Sequence, residues 1–542
     1  MMSQAIESVG EFKTVFLKKA GCGLTSGCSR HAPLATLAPR AAEPPAVGRL
    51  DRHRRMRRMK RTLIVFLLVN LILSACAPVS APTPTPAPSA TPLPTATATP
   101  TSTATPTSTP TATPTATPTP IPTIQVGNLS VPDPRITNPK LFDLRNPDAP
   151  IPQFVNAMKM AGIEITAEQV AQGITYEALK DKDGNPFVVA VYNLDPPLFP
   201  EQYRDLAGSI PLLIAKKGEG GWIWETIYYP DLGKNLGIDT SALFDGSSSI
   251  ELLRNRVRMN FTFATIPYEY SYDVIQNNNR DARYRLSNIR DLGFSGSFMV
   301  FHALDTAYIL SQNPTSKEHV LNLIRDQLEK ISNLFPDARI FNVWNEIHPP
   351  AGHPPYDLFI KFGGMDLVVE TYRMAREILG ERAILLYNET YNYSFRDGFY
   401  PNTKEIVDEL RRRSLIDGVG MQMHMFLFSQ DEIEPNEEEI IAVMRSYGVP
   451  VYITEFDINQ VNLSGSNKEL QQAQIAYTIS SACAKSKVCN MIGFWGVYDG
   501  DTWLEYAAGI TNARPLPFDE EGNPKLFYYA VLKALYDAFV GN

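Results

Sequence analysis

Eight short apolar segments, spread over residues 236–497 and separated by amphipathic stretches, restrict the fold of this 542-residue chain more than any other feature. They are LGIDTSALF (236–244), MNFTFATI (259–266), GSFMVFHA (296–303), ARIFNVWNE (338–346), AILLYNE (383–389), GVGMQMHMF (418–426), VPVYITEFD (449–457) and CNMIGFWGV (489–497). Near-continuous apolar runs of this length suit parallel strands covered on both faces. Helical periodicity is clearest at 316–335, where Val320, Ile324, Leu328, Ile331 and Phe335 recur at three- and four-residue intervals. Eight strand–helix units predict an α/β chain closed into a (β/α)8 TIM barrel over 232–542. An open doubly wound sheet has fewer strands, and its GxGxxG phosphate turn is missing.

Residues 124–231 read as a small, mostly β region with hairpins turning at Asp183-Gly184 and around Gly218–Gly221. The loop DKDGN lacks the glycine and glutamate positions of a calcium loop, so a plain turn is expected there. Trp222 and Trp224, two apart, share a strand face and are expected to pack into a core.

The N-terminal part is not globular. Residues 77–123 are almost entirely Thr, Pro, Ala and Ser, a linker composition that stays extended and, at about 3.1 Å per residue, reaches on the order of 100 Å. Before it, the apolar run 62–75 follows RRMRRMKR and spans about 21 Å, too short for a ~30 Å hydrocarbon core. Its ending, Leu73-Ser74-Ala75-Cys76, resembles a bacterial lipobox. Residues 56–76 are thus expected to be a lipoprotein signal with Cys76 as the lipidation site, and 1–55 a leader of doubtful translation. Residues 1–61 carry 13 Lys/Arg against 4 Asp/Glu, so the rest of the chain holds −17 of the total −8. An acidic remainder argues against a nucleic-acid partner. Cys483 and Cys489 remain as a disulfide pair or two free thiols, the former favoured by an oxidising compartment.

Polar residues gather at the C-terminal ends of the predicted strands: His302, Asn345-Glu346, Asn388-Glu389, Gln422 and His424, Glu455 and Asp457, then Trp495 and Asp499. A barrel places these ends on one face, where its active sites are built. Glu346 ends strand four and Glu455 strand seven, on opposite sides of the ring. Two carboxylates facing across a cleft suit glycoside hydrolysis, one protonating the leaving oxygen while the other attacks or activates water. At ~5.5 Å apart in an effective dielectric of about 20 their repulsion is roughly 3 kcal/mol, enough to separate their protonation states.

FNVWNEIHPP and VYITEFDIN resemble the strand-four and strand-seven motifs of glycoside hydrolase family 10, the xylanase family. LLYNETYN, GVGMQMHMF, GFWGVYDGDTW and LPFDEEGNPKLFYYAVLKAL follow in the family's order. The resemblance covers about 232–542. It implies Glu346 as general acid/base, Glu455 as nucleophile, Asn345 on the sugar 2-hydroxyl, and His424 orienting Glu455 with Asp457 behind it. It implies substrate contacts from His302, Gln422, Asn388, Trp495 and Trp503, and a Cys483–Cys489 disulfide at a place where some members have one.

Two motifs depart from the family. In SGSFMVFH, Ser297 and Phe301 replace its His and Trp while His302 is kept; in TIPYEYSY, Tyr268 and Ser271 replace its Asn and Lys. The expected function is a retaining endo-β-glycosidase acting on β-1,4-xylan or a related plant polysaccharide, lipid-anchored at the cell surface, monomeric, with no cofactor and no metal cluster in the sequence. The altered residues motivate an alternative, a cell-surface glycan-binding protein on a barrel that no longer turns over.

Overall fold

The computed structural model describes residues 121–239, 259–266, 298–300 and 303–541, with Arg254, Val257 and Leu292. The leader, the signal with Cys76, the linker to residue 120, and Tyr268, Ser271, Ser297, Phe301 and His302 lie outside the described residues. No described helix is long and apolar enough to cross a membrane.

Two antiparallel elements begin the described chain: the pair β1 (Thr123–Val126) and β2 (Leu129–Pro132), and the meander β3 (Ile174–Lys180), β4 (Pro186–Leu194), β5 (Gly208–Gly218) and β6 (Gly221–Thr226). Both expected hairpins form. Asp181 closes the first by accepting the backbone N–H groups of Asp183 and Asn185, and Gly184 takes a positive φ of 83° that favours glycine. Trp224 is buried and its indole N–H donates to the Pro132 carbonyl at 2.7 Å, so it serves the core.

This region is less purely β than its sequence suggests. It also holds α1 (Pro150–Met160) and α2 (Ala167–Gly173). In α1 the buried Ile151, Phe154, Ala157 and Met158 recur at helical spacing, and Pro150 occupies the first turn, where its missing N–H costs nothing.

The eight predicted segments all contain strands: β7 (Asn235–Asp239), β8 (Phe263–Ile266), β9 (Phe298–Val300), β10 (Ala338–Asn345), β11 (Ile384–Glu389), β12 (Gly418–Met421) with its short continuation β13 (His424–Met425), β14 (Val451–Ile458) and β15 (Cys489–Phe494). All pair in parallel, in the order β12-β11-β10-β9-β8-β7-β15-β14, and β12 also pairs with β14, which closes the ring. Met299, Ile340, Leu386, Tyr452 and Met491, each from a different strand, form a separate apolar cluster within it. The segment 418–426, expected as one strand, is broken between β12 and β13 because Met423 adopts φ 61°.

Helices α3 (Lys317–Leu334), α4 (Met365–Leu379), α5 (Tyr400–Arg412), α6 (Glu437–Ser446), α7 (Lys468–Ser486) and α8 (Leu526–Val540) follow strands of the ring. α3 buries Val320, Ile324, Leu328 and Ile331, and Ser316 caps it by accepting the His319 N–H at 3.1 Å. α8 is buried nearly all round, every residue from Leu526 to Tyr536 being covered. Part of that cover is the N-terminal region: Phe187 meets Phe539, Phe154 meets Tyr529, and the Tyr536 hydroxyl donates to Glu177.

Candidate active site

The site lies where β10, β11, β12–β13 and β14 end. Register puts Asn345 beside Asn388, Asn388 beside Gly420, and His424 beside Asp457. Gly420 is required by this arrangement: a Cβ there would stand 2.0 Å from the Asn388 side-chain oxygen. The space lets the buried Asn388 amide reach two partners, donating to Glu455 Oε1 at 2.7 Å and to Asn345 Oδ1 at 2.8 Å. Its oxygen accepts from the Thr454 hydroxyl at 2.7 Å.

Glu455, 4% exposed, is the centre of a continuous chain. His424 Nε2 lies 3.0 Å from Glu455 Oε2, His424 Nδ1 lies 2.9 Å from Asp457 Oδ1, and the Trp503 indole N–H donates to Asp457 Oδ2 at 2.8 Å. Both imidazole nitrogens face carboxylate oxygens, so only the doubly protonated ring satisfies both. Burial opposes that charge, yet Asp457 and Glu455 outweigh it and push His424 up to about 10. The rings of Trp503 and Trp495 flank His424, with centroids 5.2 and 6.4 Å away.

Glu346 follows the last residue of β10 and turns out of the ladder with φ 55°, a conformation that non-glycine residues rarely hold without support. The support is its backbone N–H, which donates to the Asn388 carbonyl at 3.0 Å. Its side chain keeps 29% exposure; Gln422 Nε2 donates to Oε1 at 2.6 Å, and His353 Nε2 lies 3.4 Å from Oε2. Gln422 also accepts the Glu455 backbone N–H at 3.0 Å. One residue therefore touches both carboxylate-bearing residues, and the Glu346 charge helps to push Glu455 up.

The directions of titration differ between the two. Burial pushes Glu455 up, and the hydrogen bond and charge of His424 only partly reverse it. Burial also pushes Glu346 up, but His353, with Gln422 beside it, overcomes this and holds the carboxyl below the usual range. His348 acts on Glu346 in the same direction, although burial holds its own imidazole down. This order is the reverse of the one expected from simple repulsion with Glu346 as the resting acid. A third carboxyl, Glu389, is fully buried nearby and pushed well up, first by burial and then by Glu346; the Tyr387 hydroxyl and Thr390 N–H both donate to it.

Of the residues singled out from sequence, the structure brings together Asn345, Glu346, Asn388, Gln422, His424, Glu455, Asp457, Trp495 and Trp503. Asp499 stands apart from them in its contacts, paired with Lys525 at 2.8 Å. Cys483 and Cys489 are disulfide-bonded, joining the last turns of α7 to the start of β15. Sequence reasoning passed over His348 and His353, which follow Glu346 at positions +2 and +7 in a Pro/Gly-rich loop. That spacing was the available signal.

Residues 267–534 match the sequence model of glycosyl hydrolase family 10. The endo-1,4-beta-xylanase A of Caldicellulosiruptor saccharolyticus is 25% identical over 262 residues, covering 45% of this chain and 75% of its own. The endo-1,4-beta-xylanase A of Thermotoga neapolitana is 29% identical over 235 residues, of which this chain spans only 21% of the relative's length. The solved xylanase 10B from Thermotoga petrophila RKU-1, in complex with xylobiose, has a TM-score of 0.50 at 21% identity, covering 58% of this chain and 99% of that one, a likeness of fold. Through residues 267–534 the chain belongs to glycosyl hydrolase family 10, and it is a glycoside hydrolase with endo-1,4-β-xylanases among its relatives.

Proposed function

We propose that the protein is a retaining endo-β-glycosidase that hydrolyses β-1,4-xylan by double displacement. The observation that carries this reading is that Gln422 ties two glutamates together, donating to the Glu346 carboxylate and accepting the Glu455 backbone N–H, while His424 and Asn388 clamp the Glu455 carboxylate. In the first step Glu455 attacks the anomeric carbon as Glu346 gives its proton to the departing glycosidic oxygen. In the second, Glu346 takes a proton from water, whose oxygen displaces Glu455 from the same carbon. His424, held by Asp457, keeps Glu455 aimed; Asn345 is read as the partner of the sugar 2-hydroxyl, and the buried Asn388 holds Glu455 and Asn345 in place rather than touching substrate. Trp495 and Trp503 offer flat apolar faces to pyranose rings.

The free protein favours an ionised Glu346, the form needed for the second step. For the first, a bound sugar must cover Glu346 and loosen its contact with His353, after which burial raises the carboxyl into the range of an acid. Xylan as substrate is supported by the xylanase relatives. Lipidation at Cys76 and display at the cell surface rest on the sequence pattern at 56–76 alone.

The test is incubation with xylan, mixed-linkage glucan and mannan, with assay of new reducing ends. Release from xylan is expected, with the β-anomer formed first by NMR. Binding with no new reducing ends on any of the three would reject the reading in favour of a glycan-binding protein.

A further inference from the structure

Three residues turn the chain out of β10, and each backbone N–H in that hook has a partner. Glu346 donates to the Asn388 carbonyl at 3.0 Å, Ile347 to the Tyr387 hydroxyl oxygen at 3.2 Å, and His348 back to the Glu346 carbonyl at 2.9 Å. Of the three, the Ile347 bond is the one made to a side chain, and that side chain leads inward. The Tyr387 hydroxyl donates in turn to Glu389 Oε2 at 2.8 Å. Glu389 Oε1 accepts the Thr390 N–H at 2.8 Å and stands 3.6 Å from His348 Nε2. Glu389 thus reaches both residues that follow Glu346, Ile347 through a hydroxyl and His348 directly.

We propose that Glu389 is a positioning residue for the carboxylate read above as the acid/base, acting through Tyr387 and His348 to hold the hook that aims it. The inference rests on that reading of Glu346.

A carboxyl with no exposed surface is a poor way to stabilise a core, since an apolar side chain of similar volume fills the space without the cost of burying a polar group. The surroundings show how that cost is met. His348 Nδ1 lies 2.9 Å from the Pro349 carbonyl, which can only accept, so Nδ1 carries the hydrogen and a neutral ring turns its unprotonated Nε2 toward Glu389. Burial of both partners favours a protonated Glu389 facing a neutral His348, and the same burial raises the one and lowers the other. A protonated carboxyl still accepts from Tyr387 and Thr390, and it spares Glu346 a second negative charge beside it. Glu346 needs the support, because its φ of 55° is costly for a non-glycine residue. The His348 ring also lies in a stack with Phe399 at 4.2 Å and His353 at 4.9 Å, and His353 Nε2 is 3.4 Å from Glu346 Oε2. A shift at Glu389 therefore reaches the Glu346 carboxylate twice, along the backbone and through the stacked rings.

The test compares kcat/KM on xylan with kcat/KM on an aryl xyloside bearing an activated leaving group, in the full-length protein. The aryl group departs without a proton and so does not need an aimed acid. Tyr387→Phe removes one oxygen from the relay, Glu389→Leu removes the hub at similar volume, and Glu389→Gln keeps an oxygen for the Tyr387 hydroxyl. The expected result is a loss of about 10-fold or more on xylan for Tyr387→Phe and Glu389→Leu, a change within about 3-fold on the aryl xyloside, and partial recovery on xylan in Glu389→Gln. Equal losses on both substrates would leave Glu389 a merely structural part, and wild-type xylan kinetics in Tyr387→Phe would break the relay; either result overturns the inference. Should Glu389→Leu fail to fold, Tyr387→Phe keeps the ring and carries the same test. Glu346→Ala run alongside separates the two readings. A leaving-group split there without one in Tyr387→Phe sinks the positioning alone, whereas no split in Glu346→Ala sinks the acid/base reading itself and this inference with it.

Discussion

Replacing His424 with glutamine removes the one positive charge between Glu455 and Asp457 while leaving an amide that can still donate to one of them. In the folded protein the imidazole is raised to about 10 from 6.5. A group raised on folding stabilises fully below its unfolded value, and that contribution disappears as pH climbs through the folded one. The window here is pH 6.5 to 10. At about 1.4 kcal/mol per pH unit, the gap corresponds to about 5 kcal/mol, net of the burial that opposes it. A unit of about 420 residues unfolds with an entropy near 0.9 kcal/mol/K, so this equals roughly 5 °C in melting temperature. Differential scanning fluorimetry of both proteins across that window should show the wild type ahead at pH 6.5 and the difference shrinking by about 5 °C toward pH 10. Tyrosines and surface carboxylates titrate in both proteins and cancel in the comparison. Parallel melting curves throughout would refute the bridging imidazolium.

Glu455→Gln should abolish xylan turnover, and appreciable reducing-end release by that variant would reject Glu455 as the nucleophile. Glu346→Ala should retain far more activity on aryl xylosides with activated leaving groups than on xylan, since good leaving groups need no proton; equal losses on both would argue against an acid role. Gly420→Ala should push Asn388 off Glu455, costing a charge-assisted hydrogen bond of about 1.5–3 kcal/mol, or roughly 10- to 150-fold in kcat/KM, with an unchanged circular dichroism spectrum. Wild-type kinetics in that variant would show that Asn388 has no part in holding the nucleophile.

The ring was legible because parallel strands covered on both faces leave continuous apolar runs, and β14 is buried at all eight positions. The polar residues closing those runs were legible for the same reason, since an Asn, Glu or His at the end of an apolar strand has no packing purpose. The break at Met423 was hidden: a left-handed φ in an apolar methionine leaves no mark in hydrophobic periodicity. His348 and His353 were hidden by their loop, where no strand or helix period says which way a side chain points. Charge order was also beyond reach, because simple repulsion between Glu346 and Glu455 ignores His353, seven residues downstream. In the N-terminal region, hairpin glycines and alternation outweighed the shorter helical pattern of Pro150–Met160.

Cutting the chain to the family-matched stretch would carry a penalty that the family boundary does not advertise. Apart from the paired Lys533 and Asp537 the helix Leu526–Val540 is apolar nearly all round, and Phe539, Tyr529 and Tyr536 lean on partners contributed by residues 154–187. Recombinant versions started at the first barrel strand would present that greasy flank to water and be prone to sticking together. Expression designs that keep everything from about Ile121 onward retain the native wrapping.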